Sequence, residues 1–366
     1  MVASTSTAGS SYSSGGNNKK TCTTKAAFEE HFAGNKRVKA FDMQLGTSKI
    51  DSLASRNFFG SSAGQYSSSS TGARIHSIAW NCDGTRVGCG STEKLVSVAT
   101  ADPTGKLKHA FLGQSHTDSV DNVAFHATNP HLLATASSDR TICLWDVRQP
   151  KKHTKLSTKT ANLTVVWSPC GRYLVYGDKE DKLHVVDGRT LASIKVHDCK
   201  MELNEIRYDT DGVHLLAALG QGRVDIFRMP DLEEIRQVQA HTAAATCQSL
   251  AMSPDGRRFA VGASDALCSI WDAQDLICER AISRLDYPVR TCSFSYDSRL
   301  LAAGSEDHFI DISFVDDASR VIELPTDGET YSVAWHPRAY VLAFATEPAD
   351  PRDRDASALR IFGLPS

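Results

Sequence analysis

His116-Thr-Asp-Ser-Val-Asp-Asn-Val-Ala-Phe125, a short polar turn, and then Leu132-Leu-Ala-Thr-Ala-Ser-Ser-Asp-Arg-Thr-Ile-Cys-Leu-Trp-Asp146 form the stretch that decides the architecture. An apolar run ends on an aromatic anchor, Phe125. The turn after it carries Asn129-Pro130, a small-residue run ends at Asp139, and a further apolar run closes on Trp145-Asp146. Apolar runs of roughly five to eight residues bounded by Gly, Asp, Asn and Pro read as strands, because they are punctuated before a helix could establish its period. No segment of the chain sustains a helical period.

The pattern recurs at Trp80-Asn-Cys-Asp-Gly84, Trp167-Ser-Pro-Cys-Gly171, Tyr208-Asp-Thr-Asp-Gly212, Met252-Ser-Pro-Asp-Gly256, Phe294-Ser-Tyr-Asp-Ser298 and Trp335-His-Pro337. Successive anchors from Trp80 stand 45, 42, 41, 44, 42 and 41 residues apart. An antiparallel unit of that size cannot bury both of its faces alone, so it stacks on copies of itself. Seven units closing in a circle leave no exposed end face. The spacing therefore predicts an all-β, seven-bladed propeller over residues 73–366. Its last strand, Leu359-Arg-Ile-Phe-Gly-Leu-Pro365, leaves the seventh blade one strand short. A strand from the N-terminal region is expected to complete it, either Arg37-Val-Lys-Ala-Phe41 or Arg56-Asn-Phe-Phe59; the first choice makes 44–72 an insertion before blade one.

Residues 1–72 differ in composition, with 15 Ser, 7 Thr and 8 Gly. Few large apolar side chains are available there to offset ordering entropy, so a low-complexity, largely disordered tail is expected. It carries eight Lys/Arg against four Asp/Glu, which leaves 32 against 39 for residues 73–366. The body is thus acidic and the tail cationic. The whole chain, 366 residues with net charge −3, has no basic excess of the kind that marks a nucleic-acid binder. It has no run of about 18 apolar residues and no cationic-then-apolar leader. Its ten cysteines stand singly, mostly within apolar runs, and so read as small hydrophobes in a reducing compartment. Cytosol or nucleus is the expected location, with no membrane contact.

Catalytic chemistry needs residues that converge, and none do so by spacing. HxxxH, HExxH and CxxC pairs are absent, which argues against a zinc centre. Gly88-Cys-Gly90 and Gly220-Gln-Gly222 lack the rest of a dinucleotide fingerprint and lie between strands. Asp139, Asp265 and Asp307 recur at one turn position, where backbone N–H groups are their expected partners. Neither an enzyme, a cofactor nor a small-molecule substrate is expected. Lys151-Lys152-His153 and Arg257-Arg258 read as solvated strand ends. Contact with RNA, if made, is expected through the cationic tail or an assembled complex, since an acidic ring repels a polyanion.

The Trp145-Asp146 and Trp271-Asp272 dipeptides, with His116 and His241 ahead of their repeats, resemble the WD40 family. That resemblance implies a hydrogen-bonded tetrad of His116, Thr135 (or Ser137), Asp139 and Trp145 in blade two. Blade five keeps His241, Asp265 and Trp271 but has Val261 opposite Thr135; the other blades depart further, so packing is expected to hold them. Positions four and six residues before each anchor resemble those lining the mouth of such propellers. Candidate protein-contacting residues there are Arg74, His76, Asp121, Asn204, Gln248, Arg290 and Tyr331. Asp286-Tyr287-Pro288 is placed to extend the same patch, and the alternating charge of Glu347 to Asp355 reads as a surface loop. Ser283-Arg-Leu-Asp-Tyr-Pro-Val-Arg290, Ser305-Glu-Asp-His-Phe-Ile-Asp-Ile312 and Val333-Ala-Trp-His-Pro337 look like the WD40 subunits of the THO complex. This closer resemblance implies a nuclear scaffold within TREX that supports mRNA processing and export. Its partners would be large helical subunits and, indirectly, an export helicase. The alternatives are a WD40 scaffold of another complex, such as a chromatin reader or translation-factor subunit, and an RNA-binding propeller.

Overall fold

A computed structural model of the chain describes residues 74–101, 107–149, 151–347 and 359–363. The expected tail 1–72, with its candidate closing strands 37–41 and 56–59, lies outside the described residues, as does most of 347–355. The described residues form 27 strands in seven antiparallel sheets, six of four strands and the last of three. The chain is a seven-bladed β-propeller, and each anchor ends an inner strand: Ile75–Trp80, Val120–Phe125, Asn162–Trp167, Leu203–Tyr208, Cys247–Met252, Val289–Phe294 and Thr330–Trp335. Within a blade the strands run outward in sequence order; in blade two they are Val120–Phe125, Leu132–Ser137, Thr141–Asp146 and His153–Ser157. The nine described cysteines are free thiols.

Apolar alternation puts side chains on both faces of each sheet, and the core lies between blades. Val175, Leu183 and Val185 of blade three pack on Ile206, Leu215 and Phe227 of blade four. The ring closes in the same way, with Ile75, Val87 and Cys89 of blade one against Ala343, Ala345 and Leu359 of blade seven. Phe227 and Phe259 are wholly buried, each stabilising the fold by about 1.5–3 kcal/mol relative to an exposed ring.

Polar side chains reinforce these junctions at one repeated position. The residue three before an anchor accepts a hydrogen bond from the backbone N–H two before the next blade's anchor. Val123 N donates to Ser77 Oγ (3.2 Å), Val165 N to Asn122 Oδ1 (3.3 Å) and Leu250 N to Glu205 Oε2 (2.6 Å). Cys292 N donates to Ser249 Oγ (2.8 Å), Val333 N to Thr291 Oγ1 (3.2 Å) and, across the closing junction, Ile78 N to Ser332 Oγ (3.0 Å). At the remaining junction, between blades three and four, the buried hydroxyl of Thr164 has no partner among the described residues. On the opposite face His126 Nε2 donates to Gly171 O (3.1 Å) and His336 Nε2 to Gly84 O (3.0 Å). Both glycines have φ above +70°, and a Cβ on either would sit 2.2 Å from the imidazole, so only glycine fits.

Blade two contains a closed hydrogen-bonded set. His116 Nδ1 lies 3.0 Å from Asp139 Oδ2, His116 Nε2 lies 2.7 Å from Thr135 Oγ1, and Trp145 Nε1 donates to Thr135 at 3.0 Å. Burial disfavours the charged forms of both ionisable members and lowers the His116 pKa. For Asp139 burial is outweighed by hydrogen bonds from Thr141, the Thr117 N–H and His116, which hold it down at about 2. In blade five Ser269, the cross-strand partner of Val261, replaces the missing hydroxyl, at 2.9 Å from His241 Nε2 and 2.8 Å from Trp271 Nε1. Blade six adds a buried polar cluster to the packing expected to hold the divergent blades. Its wholly buried Asp311 accepts from Arg284 (2.9 Å) and Arg320 (2.8 Å). Asp311 and Ser269 both face the second strand at the register of Thr135. The polar group has moved from the second strand to the third, where a tryptophan-dipeptide search does not find it.

Two measurements test this account. Ser249→Ala strips the buried Cys292 N–H of its acceptor and is expected to lower stability by about 1–3 kcal/mol in urea unfolding, a loss that an unchanged midpoint would contradict. The depressed Asp139 pKa gives stability that is complete above about pH 4, where the unfolded carboxyl ionises, and that is lost as pH falls towards about 2. Asp139→Asn should flatten that slope, by about 2 kcal/mol between neutral and strongly acid pH; parallel acid profiles for variant and parent would refute it.

Candidate functional site: the mouth of the channel

Each inner strand begins at one end of the channel, so the residue four before an anchor stands at its entrance. His76, Asp121, Asn204, Gln248, Arg290 and Tyr331 line a single central cavity of about 370 Å³. Arg74 stands at the rim, its guanidinium 4.7 Å from the centre of the Tyr331 ring and 2.5 Å from Glu347. A cation over an aromatic face gains from the ring quadrupole, so Arg74 and Tyr331 hold one another in place. The Tyr331 hydroxyl donates to Glu329, and burial with that carboxylate pushes its pKa far above the ordinary range. Arg290 is exposed and forks onto Glu306, with Nε at 2.8 Å.

The remaining mouth residues are quieter. Asp121 accepts from Ser119 (2.9 Å) and Ser138 (2.6 Å). His76 is pushed towards its neutral form by burial and by Arg74, with Asp121 opposing. Asn204 Nδ2 and Gln248 Oε1 have no partner among the described residues. Blades six, seven and one form one sector of the mouth, with Arg290, Glu306, Glu329, Tyr331, Arg74 and Glu347. Blades three to five contribute Leu163, Asn204 and Gln248 together with the ion-paired Glu205 and Arg207 of blade four. A second cavity of about 420 Å³ adjoins that sector, lined by Tyr287, Glu306, Asp307, His308 and Glu329. Tyr287 is 54% exposed there, held by a loop whose Asp286 and Tyr287 N–H groups donate to buried Asp307 at 3.1 and 3.4 Å.

Glu306 and Glu347 are the mouth residues that the spacing argument missed. Both directly follow the second strand of their blade. That position forms a second tier: the N–H groups of Thr92, Ser138, Lys179 and Glu347 donate to the carbonyls of Arg74, Ser119, Ala161 and Glu329. A repeat-wide count from the end of the second strand would have found them. Among the described residues no three His, Cys, Asp or Glu side chains gather in a metal-binding group. What the sector offers is a rigid, amphipathic, charge-patterned surface suited to a specific protein partner.

Comparison with known proteins places this geometry in a lineage. The family described as WD domain, G-beta repeat matches residues 105–146, 232–272 and 282–312. The β-propeller domain of Cps50 (Swd1) from Myceliophteria thermophila superposes with a TM-score of 0.68, covering 81% of this chain and 98% of that one at 19% identity, which speaks for the fold alone. WD repeat-containing protein AAC3 of Dictyostelium discoideum is 28% identical over 79% of this chain and 65% of its own length. THO complex subunit 3 of Arabidopsis thaliana is 35% identical over 80% of this chain and 93% of its own length. The chain belongs to the THO complex subunit 3 family of WD40 propellers.

Proposed function

We propose that this chain is a non-enzymatic scaffold subunit of the THO part of TREX, working in the nucleus to support co-transcriptional mRNP assembly and mRNA export. The observation that carries the reading is the 35% identity along almost the whole of a relative named THO complex subunit 3. The mouth supports it, since Arg74, Tyr331, Arg290 and the neighbouring Tyr287 combine the residue types that dominate interface energetics. The work of the ring is to present that sector rigidly. Seven packed junctions leave no hinge, so large helical subunits docked on it keep a fixed mutual geometry. The acidic body, 32 Lys/Arg against 39 Asp/Glu in residues 73–366, fits protein contacts better than direct RNA contact, and any RNA contact falls to the cationic residues 1–72 or to the assembly. In this proposal the propeller spans residues 73–366, and residues 1–72 are the low-complexity segment that precedes it in the sequence.

The deciding experiment is purification of the tagged chain from nuclear extract, with and without RNase. THO subunits are expected in near-stoichiometric amounts under both conditions. Loss with RNase would move the role to RNA, and a different stable set would overturn the assignment. The double variant Arg74→Ala, Tyr331→Ala should reduce recovery of those subunits on the order of tenfold while melting like the parent; full recovery with a folded variant would remove the mouth from the interface.

A further inference from the structure

On the face opposite the mouth, blades four and five part to form a cleft of about 180 Å³. Its floor is apolar, made by Leu216 and Ile226 of blade four and Met252 and Phe259 of blade five. Its rim on the blade-four side is acidic, with Asp209 and Asp211 in the turn after the inner strand. Asp209 Oδ2 accepts from His214 Nδ1 at 2.8 Å, while Oδ1 is buried with no partner among the described residues. The side chain keeps 19% of its surface exposed, so a cation brought to the rim can reach the carboxylate.

Ile277, next to the lining residue Leu276 and 62% exposed, is an apolar neighbour of the cleft. The turns of the two blades meet beneath it: a Cβ on Gly256 would lie 2.5 Å from Thr210 Oγ1.

We infer that this cleft is a docking site for an extended peptide segment of a partner that places an aliphatic side chain on the floor and a neighbouring arginine or lysine on Asp209. The carboxylates of the rim select a cation. The rim is carboxylate, and an acidic segment would meet like charge at Asp209 and Asp211. The apolar floor selects the aliphatic neighbour, since a purely basic segment would leave the floor wet. The site lies at the far end of the inner strands from the mouth, and the inference does not depend on what occupies the mouth.

The test uses the full chain and three fluorescein-labelled synthetic decapeptides, alternating Leu and Arg, Leu and Glu, or Ser and Arg. Fluorescence anisotropy should show binding of the Leu/Arg peptide, with the other two weaker by about tenfold or more. Asp209→Asn should weaken Leu/Arg binding about fivefold or more. Ala273→Phe, which fills the cleft from the blade-five side, should abolish it, with melting curves confirming that the variants are folded. Equal binding of the Ser/Arg peptide would reduce the effect to bulk attraction by an acidic body. Unchanged binding in the Ala273→Phe protein, or no binding of the Leu/Arg peptide at all, would overturn the proposal.

Discussion

Each inner strand of the propeller is paired on one side only, and its other edge faces the channel. Backbone N–H groups along seven such edges would be buried without partners, a cost that no amount of apolar packing removes. The ring of side chains three residues before the anchors answers that constraint. Ser77, Asn122, Glu205, Ser249, Thr291 and Ser332 each lend an acceptor to the blade that follows. Because the donor and the acceptor belong to different blades, the same bond that satisfies the edge also fixes the angle between blades. Closure of the ring, orientation of the inner strands and the positions of the mouth residues four before the anchors all follow from it.

A second buried polar position, at the register of the second and third strands, is filled differently in almost every blade. Blade two uses Thr135, blade five Ser269 and blade six Asp311. In blade three His184, also on the third strand, pairs with Asp178 at 2.8 Å. Buried polar sets of this kind specify geometry more than they add stability, because each member must be satisfied by particular neighbours. Blade six shows the extreme: two arginines converge on one carboxylate with no water-facing surface. Removing one arginine leaves the buried carboxylate paired with the other, whereas removing Asp311 leaves two guanidiniums side by side with no shared counter-charge.

The sequence announces the repeat because each blade must end its inner strand on a large side chain and turn through a Gly, Asp or Asn within a few residues. Trp80, Trp167 and Trp335 are legible for that reason, as is the count of seven. The mouth positions are legible by the same arithmetic, since a strand has fixed rise and a fixed start. The Arg74–Glu347 pair is not, because it joins blade one to blade seven and depends on the closed ring; Arg290–Glu306 spans one hairpin of blade six and lies outside a count made along inner strands alone. The Arg284–Asp311–Arg320 cluster escaped notice for another reason: it performs a familiar role with unfamiliar residues. The cleft between blades four and five has no signature in the chain, since its floor alternates like any other pair of strands.

The junction between blades three and four stands apart, and its composition has a thermal consequence. Thr164 there has no hydrogen-bond partner among the described residues, and Leu203 N donates instead to Asp181 Oδ1 at 2.9 Å, while Val175, Leu183, Leu203, Ile206 and Phe227 supply a broad apolar seam. Hydrogen-bonded junctions keep much of their strength on cooling, but burial of hydrocarbon is driven by water entropy near room temperature and weakens as temperature falls. The propeller is thus not uniform around its circumference. The seam between blades three and four, lacking the inner-strand side-chain bond of the other six, should lose a larger share of its strength on cooling than they do.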